Sequence, residues 1–216
     1  MDTIITSYCL IRDNTAIVNG RLACYQENIL TFADFIKTVF RQEQVSYPKF
    51  FKMDAISKLG FLATELALKE RPVSGYKPES VGAVFANSSS SLETDMAHQE
   101  TIRDRSGYFP SPSVFVYTLP NIVIGEICIR HRIKGENAFL LSENFDARML
   151  VTYVSELFEQ ERVEACLCGW VEVLNNRYCG MTALVEKAGT APSGEPGFFQ
   201  PVAFNEMNLN YLLKRI

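Results

Sequence analysis

The sequence predicts an α/β fold, in which a mostly parallel mixed sheet with an antiparallel C-terminal hairpin is flanked by helices. Short apolar runs alternate with helical patterns along most of the chain, which is typical of strands joined by crossover helices. Two apolar runs, 163–173 and 178–186, are separated by Asn175 and Asn176, a pair that favours a tight hairpin. We expect this hairpin at an edge of the sheet. With 216 residues, of which 47% are hydrophobic, the chain can bury the core of one domain.

The first predicted strand, Ile4 to Ile11, ends at the turn Arg12-Asp13-Asn14. Residues 15–50 show no clear pattern, apart from a short amphipathic helix whose apolar residues recur at helical spacing. These residues are Phe32, Phe35, Ile36, Val39 and Phe40. A longer helix is predicted over 52–70, and the buried strand 81–86 follows it.

Another helix is predicted over 118–132, because Pro120 is tolerated in a first turn and apolar residues follow it. Gly125 inside this helix costs up to about 1 kcal/mol relative to alanine, so we expect close backbone packing there. The polar segment Ser88 to Ser91 could hold a phosphate through its backbone N–H groups. It has no glycine pattern, however, and is interpreted as a plain loop.

The bulk properties exclude several classes of function. A net charge of −4 and a pI of about 5.3 predict no surface for nucleic acid or an anionic membrane. No run of 18 apolar residues could span a bilayer, and the N-terminus lacks the basic region of a signal peptide. The six cysteines lie mostly in apolar runs, which predicts buried thiols in a cytoplasmic protein. Cys166 and Cys168 share a strand face, but with two histidines in the whole chain we expect no metal site, and we find no cofactor fingerprint.

The stretch 138–161 is predicted to form a buried strand, a corner and a helix. Strand 138–142 is followed by Glu143-Asn144-Phe145, and Asp146 stands at the N-cap position of the helix. A sharp corner of this kind exposes a residue at a helix N-terminus, where many acyl-transfer enzymes place Cys or Ser. This chain has Asn144 there, which cannot carry an acyl group. The corner therefore has the architecture of a catalytic site without a nucleophile.

Several segments resemble, in order, successive landmarks of the β-ketoacyl synthases, which have the thiolase-like fold. They are Lys49-Phe-Phe-Lys-Met-Asp-Ala-Ile-Ser-Lys-Leu-Gly60, Val81-Gly-Ala-Val-Phe-Ala86, Thr118-Leu-Pro-Asn121, Ile133-Lys-Gly-Glu-Asn137, Val163-Glu-Ala-Cys-Leu-Cys-Gly169 and Cys179-Gly-Met-Thr-Ala-Leu-Val-Glu186. The resemblance covers roughly residues 4–188 and implies half of a thiolase-like fold, its N-terminal half. We divide the chain into a domain at 1–188 and a C-terminal loop and tail at 189–216. By the same resemblance, Asn144 stands where the family has its nucleophilic cysteine.

The family's two catalytic histidines and its lysine belong to the second half of the fold, and His98 and His131 match neither histidine. Ketosynthase-like proteins without the cysteine act in this family as chain-length factors, which pair with a full-length ketosynthase and form one wall of its acyl cavity. The resemblance thus implies a non-catalytic subunit of bacterial fatty-acid or polyketide-type elongation, such as that of polyene pigments.

The implied partner is a full-length ketosynthase, bound through strand 138–142 and the helix from Thr118, with an acyl carrier protein as a further partner. Residues implied in the acyl tunnel or the partner interface are Phe115, Tyr117, Leu119, Ile122, Val123, Glu126, Phe139 and Leu141.

Other interpretations stay open. The apolar helix face also suits core packing, Asn144 also suits a helix cap, and His131 suits a solvated helix end. Arg103-Asp-Arg105 could meet an acidic helix of a carrier protein or form a solvated pair. Two further hypotheses are an enzyme that uses Glu143 as a weak base and a free-standing homodimer or scaffold in which two copies stand in for the two halves.

In a complete thiolase-like fold, the helix after the corner is sandwiched between the two halves. Here its charged and polar residues share one face and its apolar residues share the other. The polar residues are Arg148, Thr152, Ser155, Glu156 and Glu159, and the apolar residues are Met149, Leu150, Tyr153, Val154, Leu157 and Phe158. We expect the polar face at the surface, which favours a half-length protein over a truncated sequence.

Overall fold

The computed structural model describes residues 2–28, 31–104, 109–189 and 199–215 as one sheet with helices on both faces. The strands are β1 (Thr3–Arg12), β2 (Thr15–Val18), β3 (Arg21–Tyr25), β4 (Val81–Asn87), β5 (Asn137–Leu141), β6 (Ala165–Leu174), β7 (Arg177–Lys187) and β8 (Val202–Ala203). The α-helices are α1 (Phe32–Gln42), α2 (Ala55–Leu68), α3 (Leu92–Ile102), α4 (Pro112–Phe115), α5 (Ile122–His131), α6 (Ala147–Glu159) and α7 (Glu206–Leu213). No helix in this described part of the chain is long and apolar enough to cross a membrane.

The sheet is open and mixed, with the order β3-β2-β1-β7-β6-β4-β5 and β8 paired to β1. This confirms the predicted α/β class. In the unit β1-β7-β6-β4-β5, four strands run in one direction and β7 runs against them. The pairings themselves are mainly antiparallel, since β4–β5 and β4–β6 are the parallel pairs among the described strands. The prediction of a mostly parallel sheet is therefore right for strand direction in this unit and wrong for pairing.

The hairpin of β6 and β7 forms as predicted, but it lies in the middle of the sheet and not at its edge. Asn175 and Asn176 have φ values of 51° and 62°, which suit a tight turn in a hairpin. β7 pairs with β6 on one side and with β1 on the other. Strand order depends on contacts between distant residues, which a local apolar pattern does not report.

Two apolar cores lie on opposite faces of the sheet. The first core contains α1, α2 and α5, and the second contains α6 and α7. Alternate residues of β6 supply both cores, so that Leu167 faces the first and Cys166 and Cys168 face the second. The corner between β5 and α6 thus belongs to the face that carries the second core.

Helix α2 packs closely against α5 at Gly60. A Cβ atom added at Gly60 would lie 2.5 Å from Cγ2 of Val123 and 3.2 Å from Cγ2 of Val171, so a larger residue does not fit. Gly125 was the expected place of close packing, and that prediction is wrong. A Cβ atom there would meet nothing within 4 Å among the described residues.

Helix α5 begins at Ile122, later than predicted, and Asn121 is its N-cap. Pro120 therefore precedes the helix and does not stand in its first turn. The hairpin of β2 and β3 was not predicted, although Asn19 and Gly20 connect its strands with φ values of 51° and 82°. In the C-terminal part, β8 and α7 pack against the second core. The division of the chain at residue 188 remains a proposal.

Candidate functional site

The corner between β5 and α6 is held by hydrogen bonds that do not involve the side chain of Asn144. Ser142 donates its backbone N–H to Asn87 O at 3.1 Å and its hydroxyl to Asn144 O at 2.7 Å. Asp146 caps α6, because its carboxylate accepts the N–H of Met149 at 2.9 Å. The alternative that Asn144 caps this helix is therefore wrong, whereas the N-cap predicted for Asp146 is confirmed.

The corner opens on a shallow cleft of about 410 Å³. Glu143 and Asn144 are both exposed there, and Glu206 and Asn210 of α7 form the opposite wall. Within the described residues, neither side chain at the corner has a hydrogen-bond partner. Nucleophilic catalysis needs an attacking group held by a base, and the cleft provides an amide and a solvated carboxylate instead.

The polar face of α6 is at the surface, as predicted. Arg148, Thr152 and Glu156 are exposed, whereas Leu150 and Val154 are fully buried. The described part of the second core packs against one side of α6 and leaves the charged side in solvent.

The described residues contain no group of three or more His, Cys, Asp or Glu side chains arranged to hold a metal ion. All six cysteines are free. Burial raises the pKa of Cys168 to about 12 and that of Cys128 to about 11, so these thiols stay protonated at neutral pH.

His131 is partly buried at the end of α5 and lies 2.8 Å from Glu65, measured from Nε2 to Oε1. The interpretation of His131 as a solvated residue is thus wrong. Arg130 donates to both carboxylate oxygens of Glu65 at 3.0 Å. Burial alone would raise the pKa of Glu65, but the close contact with His131 and the hydrogen bonds from Arg130 outweigh it and lower this pKa. His98 is also partly buried, with its ring 5.3 Å from that of Phe115.

An exposed apolar surface lies around α4 and the turn that leads into α5. Phe115, Val116 and Leu119 are 61%, 52% and 58% exposed, respectively. Leu141, at the end of β5, is 56% exposed. By strand alternation Leu141 shares a face with Phe139, which packs against the first core together with α5. We call Phe115, Val116, Leu119 and Leu141 the apolar rim.

Tyr117 lies between the exposed residues of the rim and points inward. Its hydroxyl donates to Glu126 Oε1 at 3.0 Å, and Lys49 Nζ lies 2.8 Å from the same oxygen. Glu126 is 3% exposed and its Oε2 has no hydrogen-bond partner in the described part of the chain. Burial, followed by the negative charge of Glu126, raises the pKa of Tyr117 well above its usual value.

The remaining residues implied in the interface lie deeper. Val123 is fully buried against α2, and Ile122 and Phe139 are partly buried against the first core. Of the eight residues, Phe115, Leu119 and Leu141 are exposed enough to reach a second molecule directly.

Strand β5 is the last strand of the sheet on its side. It pairs with β4 from Ala83–Asn137 to Asn87–Leu141, and its other side has no partner strand in the described chain. An open strand edge presents unpaired N–H and C=O groups to another chain. The apolar rim and this open edge are both candidate surfaces for a partner.

The Ser88 segment is a loop held by an internal carboxylate. Glu172 accepts hydrogen bonds from the backbone N–H groups of Ser88 at 2.7 Å and Ser89 at 3.2 Å, and from both hydroxyls. An anion would compete with a carboxylate already in place. Arg103 pairs with Glu100 at 3.2 Å on the exposed side of α3, and Arg105 lies outside the described residues.

Comparison with known proteins identifies the architecture. No protein-family model matches the chain, and no curated protein matches it. Among solved structures, the ishigamide ketosynthase/chain length factor matches 89% of this chain with a TM-score of 0.68 and 17% identity. The chain has a ketosynthase-like, thiolase-like fold.

Two further structures have the same fold. A complex of a type II PKS acyl-carrier protein with its ketosynthase (AntDE:AntF) matches 88% of this chain with a TM-score of 0.63 and 15% identity. The ketosynthase ApeO in complex with its chain length factor ApeC, from Xenorhabdus doucetiae, matches 87% with a TM-score of 0.55 and 11% identity. This chain spans 64% of the length of the matched chain in the first two structures and 80% in the third.

Proposed function

We propose that this protein is a non-catalytic, chain-length-factor-like subunit that pairs with a full-length ketosynthase in bacterial fatty-acid or polyketide-type chain elongation. The observation that carries the proposal is the corner between β5 and α6, where a ketosynthase-like fold presents Asn144 and an exposed Glu143 but no nucleophile. We place the protein in the cytoplasm, in keeping with its six free thiols.

The chemistry of condensation supports the non-catalytic part of the proposal. A ketosynthase needs a thiolate to carry the acyl chain and donors to stabilise the enolate that forms after decarboxylation. An asparagine amide does not form a thioester. The described residues at the corner include no histidine, and in this proposal the partner supplies these groups.

The open side of β5 and the apolar rim support docking of a second chain. A partner strand at β5 would satisfy the unpaired backbone groups, and an apolar partner surface would remove Phe115, Leu119 and Leu141 from water. Large exposed apolar residues such as those of the rim are typical of protein interfaces.

The rim also offers a physical account of chain-length control. Phe115 and Leu119 stand on the exposed side of α4 and of the following turn, where they can project into a cavity of the partner. A bulky side chain ends a tunnel by excluded volume, so the size of these residues would limit the acyl chain. Val123 and Glu126 would act indirectly, by fixing α5 and Tyr117. The acyl carrier protein would deliver its substrate to the ketosynthase subunit.

The first test is co-purification with ketosynthases from the same genome. We expect a full-length ketosynthase with an intact cysteine to co-elute with the tagged chain at near one-to-one ratio. Leu119→Asp should lower its recovery at least about tenfold, because it places a charge in the interface. Leu22→Asp is the matched control, since Leu22 is also exposed (64%) but lies on β3, at the opposite edge of the sheet.

Two results would contradict the proposal. One is condensation by the purified chain alone on malonyl- and acyl-carrier substrates. The other is a lone species of one or two copies with no ketosynthase, which would favour the homodimer or scaffold hypothesis.

A further inference from the structure

The segment 199–215 returns to the beginning of the chain and joins its sheet. Strand β8 pairs antiparallel with β1, where Ala203 lies opposite Ile4 and Val202 opposite Ile5. The backbone N–H of Phe204 donates to Thr3 O at 2.9 Å. These contacts fix the start of the segment beside the second core.

Helix α7 then covers apolar side chains beside α6. Phe204, Leu209 and Leu212 are 6%, 0% and 1% exposed and belong to the second core. On α6, Leu150, Val154 and Leu157 belong to the same core. Removing the segment would therefore expose a continuous apolar area of the sheet face.

Two arginines link the end of the segment to β1 by hydrogen bonds. Arg12 on β1 donates from Nη1 to Leu213 O at 3.1 Å, at the C-terminus of α7, where a positive charge is favourable. Arg215 donates from Nη1 to the hydroxyl of Tyr8 at 2.6 Å. The ring of Phe199 packs edge-on against Tyr8 with centroids 5.0 Å apart. Tyr8 is therefore contacted by residues from both the beginning and the end of the segment.

We propose that residues 199–215 form an intramolecular cover over the α6 face of the sheet. The resemblance to the β-ketoacyl synthases implies that the second half of a complete fold covers the helix after the corner. Here α7 takes the place beside α6, and the side of α6 that it leaves free is polar. The cover therefore excludes a second chain from the α6 face. If the proposed function holds, on which this step rests, the cover also directs the ketosynthase partner to the β5 edge.

The cover can be tested by cutting the chain after it has folded. A recognition site for a specific protease is placed within 190–198, and the purified full chain is cleaved and passed through a sizing column. We expect the C-terminal peptide to stay bound and the protein to elute as a monomer. In the double variant Leu209→Ala, Leu212→Ala, the fraction of peptide that stays bound after cleavage should be at least tenfold lower than in the unsubstituted protein. The rest of the protein, without its cover, should then elute as a dimer or larger species.

The matched control is Met207→Ala, since Met207 lies on the same helix and is 74% exposed. It should retain the peptide like the unsubstituted chain. The proposal fails if the unsubstituted protein releases the peptide at once, or if the uncovered body stays monomeric. Capture of a ketosynthase is measured separately on the cleaved protein, so that a retained peptide without a captured partner would refute the proposed function alone.

Discussion

The hydroxyl of Tyr117 and the ammonium group of Lys49 meet on one oxygen of the buried Glu126. Tyr117 stands between Phe115 and Leu119, two exposed residues of the apolar rim. The buried carboxylate therefore fixes the backbone that presents the proposed interface. In the proposed interface, Glu126 would therefore act without direct contact with the partner.

Replacing Tyr117 with phenylalanine should weaken both folding and docking. The substitution leaves a buried carboxylate oxygen with one partner fewer, which we expect to lower the free energy of unfolding by about 1–3 kcal/mol. Urea unfolding measures this loss, and co-purification measures the loss of partner. Phe115→Ala is the control, because Phe115 is exposed: it should reduce docking and leave stability within about 0.5 kcal/mol. An equal loss of stability in Tyr117→Phe and Phe115→Ala would contradict a stabilising role of the hydrogen bond from the Tyr117 hydroxyl.

The two residues at the corner should respond differently to alanine. Asp146→Ala removes the cap of α6 and should lower the free energy of unfolding by about 1 kcal/mol. Asn144→Ala should leave stability unchanged, since its side chain has no hydrogen bond in the described structure. Thermal unfolding of both variants makes the comparison. A larger loss for Asn144→Ala would restore the capping interpretation.

Alanine at the two glycines of the α2–α5 pair should change the free energy of unfolding in opposite directions. Gly60→Ala should cost about 1–3 kcal/mol, because the new methyl group would overlap Val123. Gly125→Ala should gain up to about 1 kcal/mol, because the site is open and alanine favours a helix. Urea unfolding gives both values. The overlap with Val123 is checked by combining Gly60→Ala with Val123→Ala, which should cost less than the sum of the two single changes.

Glu65 should make stability depend on acidic pH. Its pKa is lower in the folded chain than the unfolded value of about 4.3, so its contribution is present above that value and is lost as pH falls through the folded pKa. Glu65→Gln should lower the free energy of unfolding at pH 7 by about 2 kcal/mol. The difference from the unsubstituted chain should shrink below about pH 4. A constant difference for Glu65→Gln across pH would refute this account.

The cysteines should resist alkylation in the folded protein. Burial raises the pKa of Cys128 and Cys179 to about 11 and that of Cys168 to about 12, so little thiolate is present at pH 8. Labelling by iodoacetamide at pH 8 should be at least about a hundredfold slower than in urea. Rapid labelling of the native chain would show that these thiols are accessible.

Local patterns predicted the elements that alternate or repeat clearly. The cap of α6 at Asp146 and the turn at Asn175 and Asn176 are local features, and both are present. The apolar face of α6 is present too, apart from Tyr153, which is 37% exposed. Helix α3 was missed because its polar and apolar residues have no helical segregation. The hairpin of β2 and β3 had a usable signal, since Asn19-Gly20 between two apolar runs favours a tight turn.

The site was predicted less completely than the fold, because burial depends on which elements pack together. The helix pattern placed Val123, Glu126 and Leu119 near one another, but it did not predict which of them would be buried and which exposed. Val123 is buried by α2 and Glu126 is enclosed by Tyr117 and Lys49, whereas Leu119 precedes the helix and stays exposed. Contacts between distant residues make these distinctions, and the sequence pattern does not contain them.

The central position of β7 has a consequence for how the protein is made. β7 joins β1 to β6, and Thr3 of β1 lies opposite Lys187. On the ribosome, the first strand therefore leaves the exit tunnel long before the strand that will flank it. Until Arg177–Lys187 has emerged, the early hairpins of β1–β3 and the parallel strands β4–β6 have no strand to connect them. Formation of the complete sheet is thus a late, long-range event, and such topologies fold slowly.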